Sequence, residues 1–211
     1  MSMLQLADVK ALFVLLDEMA QKNRDYLIEL DSVMGDGDLG LTMATSFKAA
    51  NEFAQEFTDE DLGSLFMRAG MVMAKAAPST MGTLIATGFM RGGKALKGKR
   101  AIDLPDMALF WRAFTAGIAE RGKSKVGEKT ILDSLDPATV ALEGAQGSLK
   151  EGLASAKKAA QEGVEATKDM VAQHGRAAYY QEKSRTAQDP GATVGALIVA
   201  VFADYIEKQG S

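Results

Sequence analysis

Cysteine is absent from the 211-residue chain, and histidine occurs once, as His174. The first absence excludes disulfides, thiolate metal centres, iron–sulfur clusters and cysteine nucleophiles. The second excludes any site that needs two or three imidazoles. No run reaches the roughly 18–20 uncharged apolar residues of a membrane span, and the longest candidate, 192–203, is too short. The start, Met1 to Leu6, lacks the basic n-region of a signal peptide, and Asp8 and Lys10 interrupt the first apolar run. Positive charge is not in excess either: 24 Lys+Arg face 28 Asp+Glu, a net charge of −4 that offers no basic field to nucleic acid. These absences predict a soluble, cytoplasmic chain with neither a membrane nor a nucleic-acid partner.

Aromatics are sparse at 7% and β-branched runs are short, whereas Ala, Leu, Met, Lys and Glu are abundant, which favours helix. Val9, Leu12, Phe13, Leu16 and Ala20 fall on one face of a 3.6-residue period. The same spacing recurs at Leu62–Met73, Met107–Ile118 and Val194–Tyr205. Helices are predicted near 5–22, 41–57, 59–76, 82–97, 104–121, 131–147, 149–173 and 191–208. Thr58 with Asp61, and Ser148 with Glu151, read as capping boxes. Pro137 would kink its helix if that helix began as early as Thr130. Connections are short, so neighbouring helices should run antiparallel. No composition break divides the chain, and 1–211 reads as a single all-α domain.

Between the first two predicted helices lies Leu30-Asp31-Ser32-Val33-Met34-Gly35-Asp36-Gly37-Asp38-Leu39-Gly40, with three carboxylates in eight positions. Like charges packed this densely repel unless a cation joins them. Carboxylates without His or Cys suit a hard ion, Mg²⁺ or Ca²⁺, rather than Zn²⁺. An EF-hand is excluded by register: counted from Asp31, position 3 is Val33, and counted from Asp36, position 12 is Phe47. Magnesium takes few protein ligands and completes its shell with water and phosphate oxygens, so the loop hints at a phosphoryl site. A Gly/Asp-rich turn ending in a helix cap accounts for the same spacing.

Further segments carry weaker signals. Pro78-Ser79-Thr80-Met81-Gly82-Thr83 precedes an apolar run, and small hydroxyl residues at a helix start can present amides to an anion. Arg121-Gly122, Gly127-Glu128-Lys129-Thr130, Gly175-Arg176-Ala177 and Gln188-Asp189-Pro190-Gly191-Ala192-Thr193 would each be a turn in isolation. Asp189 reads there as an N-cap, Pro190 as a first helical residue and Gly175 as the end of the preceding helix. Neither a P-loop nor the protein-kinase motifs are present.

Taken in order, these segments resemble the L subunit of dihydroxyacetone kinase, nearly end to end. The resemblance implies an antiparallel bundle of eight helices closed into a barrel, with a nucleotide site at one end. It implies that Asp31, Asp36 and Asp38 hold two Mg²⁺ ions on the phosphates of ADP or ATP. Leu39, Gly40, Leu41 and Thr42 would border the nucleotide, as would Thr80, Met81, Gly122 and Ile131. Arg176 would contact phosphate and serve catalysis, and Asp189, Pro190 and Gly191 would close the pocket. The implied partners are a K-type subunit, which in the family holds dihydroxyacetone covalently on a His, and a phosphotransferase-system M-type phosphocarrier.

The sequence departs from the family twice. Many members have His where this chain has Leu39, and their Gly-Gly-Ala-Ser-Gly-Pro loop is replaced by Pro78–Thr83. Both changes remove polar or close backbone contacts that would slow nucleotide release, which points to exchangeable ATP as phosphoryl donor; the other reading is a bound ADP/ATP coenzyme recharged by the phosphocarrier. His174 is expected at a helix end as a partner of the dipole, not as a base. The expected function is a kinase subunit acting on dihydroxyacetone or a similar hydroxyketone. The alternative is a nucleotide-sensing module that keeps the Mg²⁺ site and acts by binding another protein.

Overall fold

The structure is a computed structural model that describes residues 3–209. Met1, Ser2, Gly210 and Ser211 lie outside the described residues, and with them the first positions of the N-terminal segment and both ends of the 1–211 domain. Nine α-helices form among the described residues: α1 (Leu6–Lys22), α2 (Arg24–Ser32), α3 (Leu39–Glu56), α4 (Leu62–Ala76), α5 (Thr80–Ala95), α6 (Leu104–Gly122), α7 (Leu132–Glu143), α8 (Leu149–Ala166) and α9 (Pro190–Gln209). The eight long helices form a closed ring in which α1 packs on α3, each later helix packs on the next, and α9 returns to α1. Neighbours run antiparallel. Lys10 meets the carbonyl of Gln55 while Gln21 meets that of Ala44 across α1 and α3, and Gly88 faces Phe114 while Gly92 faces Phe110 across α5 and α6. The all-α barrel implied by the resemblance is the fold observed.

The apolar stripes meet inside the ring. Phe13, Phe47, Phe66, Phe89, Phe110, Phe114 and Phe202 are each at most 1% exposed and stack through one another from six different helices or turns of helix. Pairs of this kind add about 0.5–1.5 kcal/mol each beyond area burial. Among the described residues α9 alone is long and apolar enough to cross a membrane, and 67% of that stretch is buried in the ring. The uncharged run itself ends at 203, where Asp204 follows, and the helix continues to Gln209.

Several boundaries differ from expectation for local reasons. α2 falls outside the predicted helices: only Leu27 of its nine residues is buried, so no stripe marks it. At α4 the cap is Asp61, whose carboxylate accepts from the Ser64 amide, rather than Thr58. The Ser148–Glu151 capping box is present. α8 ends at Ala166, not 173, where the Thr167 hydroxyl donates to the Val164 carbonyl and a 3₁₀ turn follows. Gly175 therefore ends no helix; at φ 64° it begins a second 3₁₀ stretch, Arg176–Ser184. Pro137 lies inside α7, where its missing N–H leaves the Asp133 carbonyl without its usual helical donor.

Candidate functional site: an acidic cavity at one end of the ring

α3, α5, α7 and α9 begin at the same end of the ring, and α2 and α6 finish there. Between them lies a cavity of about 400 Å³, the size of a small-molecule site. Each helix start brings a partial positive charge and unsatisfied amides, so four converging starts favour an anion.

The three aspartates stand on one wall. Asp31 belongs to the last turn of α2, and the chain then turns through Gly35 and Gly37 to Asp38, the N-cap of α3. The turn is tight: a Cβ on Gly35 would lie 2.2 Å from an Asp31 carboxylate oxygen, and Gly37 has φ 71°. The result brings one oxygen from each of Asp31, Asp36 and Asp38 within 4.8 Å of one another. Asp61, Ser79, Asp103, Ser148 and Asp189 all accept from the first turns of their helices, whereas Asp38 makes no side-chain cap bond. Burial, and then the neighbouring charges of Asp36 and Asp31, push the Asp38 carboxyl above its ordinary value, with Arg176 pulling the other way. A cluster of hard oxygen donors whose charges oppose one another fits a divalent ion such as Mg²⁺.

The other walls are of two kinds. Leu30 on α2, Met34 in the turn after it and Leu39 on α3, with Met81, Leu84 and Ile131, form an apolar side. Ser79, Thr80, Ser124 and Thr130 add hydroxyls, and Gly122, Pro190 and Gly191 complete the rim. Gly191 is closely enclosed, since a Cβ there would lie 2.9 Å from the Met81 methyl. Asp189 caps α9 by accepting from the Ala192 amide at 2.6 Å, and its own amide donates to Thr167 Oγ1. Burial pushes the Asp189 carboxyl up to about 7, against the Ala192 hydrogen bond that lowers it.

Of the positions to which the resemblance gives a metal- or nucleotide-binding role, three do not line the cavity. Gly40 is packed on the carbonyl of Arg24, where a Cβ would lie 2.0 Å away; Leu41 is 54% exposed; Thr42 is buried beside Gly82. One helical turn cannot point four consecutive residues at one ligand, and only Leu39 faces inward. Arg176 lines the cavity, but its guanidinium is paired with Asp36 at 2.8 Å. His174 differs most from expectation. It lies in the segment after α8, lines the cavity, and its Nε2 is 2.6 Å from Glu128 Oε2. Its hydrogen bond to Glu128 holds that carboxyl below its ordinary range.

A family model described as the DAK2 domain matches residues 33–204. The chain belongs to the DAK2 domain family. It is 35% identical over 184 residues to the ADP-binding subunit DhaL of PEP-dependent dihydroxyacetone kinase 1 of Listeria innocua, covering 86% of this chain and 87% of that one. It is 31% identical to the corresponding subunit from Escherichia coli, over 80% of this chain and 82% of that one. The fold is also that of the dihydroxyacetone kinase of C. freundii crystallised with AMP-PNP and Mg²⁺, with a TM-score of 0.74 at 24% identity. The match covers 94% of this chain and 34% of that larger protein. Within this DAK2 domain the sequence segments of highest specificity, scattered over 160 positions from Asp31 to Pro190, converge on one cavity. Lys129, Ser124, Leu84 and the apolar pair Leu30–Met34 also line it. Their roles are not legible in the sequence: Leu30 lies on α2 and Met34 in the turn after it, and only the fold brings both to the cavity wall.

Proposed function

We propose that this chain is the nucleotide-binding subunit of a dihydroxyacetone-type kinase, which holds ADP or ATP with Mg²⁺ and passes the terminal phosphoryl group to a short hydroxyketone on a separate K-type subunit. The observation that carries this reading is the convergence of three mutually repelling carboxylates on a cavity where four helices begin. Asp31, Asp36 and Asp38 would hold the metal, which when bound supplies neutralisation of the phosphate charge. The amides at the start of α3, which the Asp38 side chain leaves uncapped, could donate to phosphate oxygens. The apolar side formed by Leu30, Met34, Leu39, Met81, Leu84 and Ile131 suits a purine ring, with Thr80 and Gly122 beside it. Asp189, Pro190 and Gly191 close the rim.

Phosphoryl transfer asks the protein mainly for positioning and charge neutralisation. The bond from the terminal phosphorus to the nucleotide breaks, a new one forms to the sugar hydroxyl, and that hydroxyl's proton must go to a base. The base is assigned to the K-type partner, as the resemblance implies, and His174, whose Nε2 meets Glu128, is left to anchor its own segment. Arg176, now paired with Asp36, would contact phosphate when nucleotide is bound, which would leave the Asp36 carboxylate to hold the metal. The names of the full-length relatives, PEP-dependent ADP-binding subunits, support a nucleotide that stays bound and is recharged by a phosphocarrier, against the exchangeable ATP expected from Leu39. A cytoplasmic location accords with such a partner.

Asp38→Asn tests the metal reading. It removes one anionic ligand while the phosphate charge remains, and calorimetry with ADP should show affinity lower by at least about tenfold, or 1.4 kcal/mol, in Mg²⁺ only. Equal affinity for both chains would return the loop to a plain turn. The purified chain should turn over no dihydroxyacetone until the matching K-type subunit is added; turnover by the chain alone would sink the two-subunit reading.

A further inference from the structure

Between α8 and α9 the chain runs for over twenty residues without α-helix, yet it carries His174, Gly175, Arg176 and Ala177 to the cavity. An irregular segment of that length must be held by something other than its own ladder of hydrogen bonds. The holding group is Lys129. Its side chain is 3% exposed, and its ammonium donates to the carbonyls of Thr167 at 2.8 Å, Ser184 at 2.7 Å and Ala187 at 2.6 Å, with Met170 at 3.3 Å. An ammonium has three donors, so the first three carbonyls account for all of them and Met170 shares one. Thr167 and Ala187 are the two ends of the segment, and Ser184 its far side. One buried cation thus gathers the whole cap.

The backbone around Lys129 is built for this. Gly127 has φ 90° and Lys129 has φ 59°, a left-handed conformation that a lysine adopts only under constraint. The constraint is Asp133, 2% exposed on α7, whose two oxygens accept from the Gly127 and Thr130 amides at 2.6 Å each. The adjacent Glu128 adds a second hold. Its carbonyl accepts from Gln173, and its carboxylate meets His174, two residues before Arg176. Within the cap, Ser184 Oγ accepts from the Ala172 amide and donates to the Gln181 carbonyl.

We propose that Lys129 is a positioning residue: its buried ammonium fixes the 167–187 cap and so holds Arg176 at the carboxylate cluster. The part that concerns Arg176 and nucleotide rests on the function proposed above; the part that concerns the cap does not. Burying a cation is unfavourable unless its donors are all used; four backbone carbonyls use them here, and the charges of Asp189 and Asp169 act on it favourably. Loss of the ammonium leaves those carbonyls buried and unpaired, and the cap must open to reach water.

Lys129→Met is the first test. Amide hydrogen exchange without nucleotide should accelerate at least tenfold in residues 168–188, with the peptides of α4 and α5 unchanged. Affinity for Mg²⁺–ADP should fall at least tenfold, and adding Arg176→Ala should cost less than a further twofold, because Arg176 has already lost its place. Unchanged exchange in the cap, acceleration throughout the chain, or losses from the two substitutions that add in full would each overturn the proposal. A wild-type chain that fails to bind Mg²⁺–ADP would defeat the nucleotide reading and leave the exchange result standing. The absence of cysteine allows a second test. Lys129→Cys carries a unique thiol that can be alkylated in denaturant and refolded, either with an aminoethyl group, which restores an ammonium, or with an ethyl group, which does not. Cap protection and ADP binding should return with the aminoethyl chain only, and equal behaviour of the two would overturn the assignment.

Discussion

Asp38 and Asp189 each precede a helix at the same end of the ring, and their carboxylates are used in opposite ways. Asp189 turns back to cap α9 and is buried there; Asp38 leaves α3 uncapped and joins Asp31 and Asp36. Burial makes the first of these titrate unusually. The Asp189 carboxyl stands at about 7 in the fold against an ordinary 3.8, so the folded chain holds its proton more tightly than the unfolded one. Below about pH 4 both states are protonated and the group has no effect on stability. Between pH 4 and 7 the unfolded chain ionises first, so stability falls, and above 7 the loss is complete, on the order of 4 kcal/mol. Asp189→Asn keeps an oxygen for the Ala192 amide and cannot ionise. Urea unfolding without nucleotide at pH 4.5, 6 and 7.5 should therefore show wild type losing several kcal/mol relative to Asp189→Asn as pH rises, and parallel curves would refute the assignment. At this scale the sequence showed the acidic triad through its spacing, and Asp189 through the Asp-Pro-Gly turn. It could not show which carboxylate caps and which is left free. That depends on where the α2 end and the α9 start meet in space.

At the scale of elements, the long apolar stripes mark eight helices, and the short, polar α2, with only Leu27 buried, is hidden among charged residues. The end of α8 was overextended because the polar, alanine-containing run after Val164 does not break helical pattern; the break comes from Thr167 and from Lys129, which lies 38 positions away. The packing of α8 on α7 shows the opposite kind of constraint. Pro137 deprives the Asp133 carbonyl of its donor, and Gly163 closes on that oxygen, where a Cβ would lie 2.0 Å away. Gly163→Ala must push α8 off α7 just where Asp133 holds the Gly127–Thr130 turn. It should destabilise the chain by roughly 1–3 kcal/mol and loosen the cap, read as a lower urea midpoint and faster exchange in 168–188. Gly144→Ala, where a Cβ meets nothing nearer than 3.5 Å, should change stability by less than about 0.5 kcal/mol. A Gly163→Ala chain as stable as Gly144→Ala would show that the contact yields freely.

At the scale of the whole molecule, closing the ring sorts helix ends. Eight antiparallel helices leave four starts at each end, and the acidic turn, the Ser79–Met81 start and the α9 start are thereby gathered from distant parts of the chain. A nucleotide placed among them is bounded by the ring on its inner side and by the 167–187 cap on the outer one. Release is then expected to need the cap to open, and the buried Lys129 holds the cap more firmly than the exposed Arg176–Asp36 pair, which salt would screen. Leu39 removes one polar contact without altering this enclosure. The Mg²⁺–ADP complex should accordingly survive desalting and leave with a half-time on the order of an hour or more against an excess of unlabelled trap. Lys129→Met should shorten that time at least tenfold, and raising the salt to 1 M should change it little. Recharging in place by a phosphocarrier, with no turnover on added ATP, would complete the case for a resident nucleotide. Release within seconds from wild type, together with steady turnover on ATP and the K-type subunit, would return the donor to exchangeable ATP and show that the cap positions Arg176 without retaining the nucleotide.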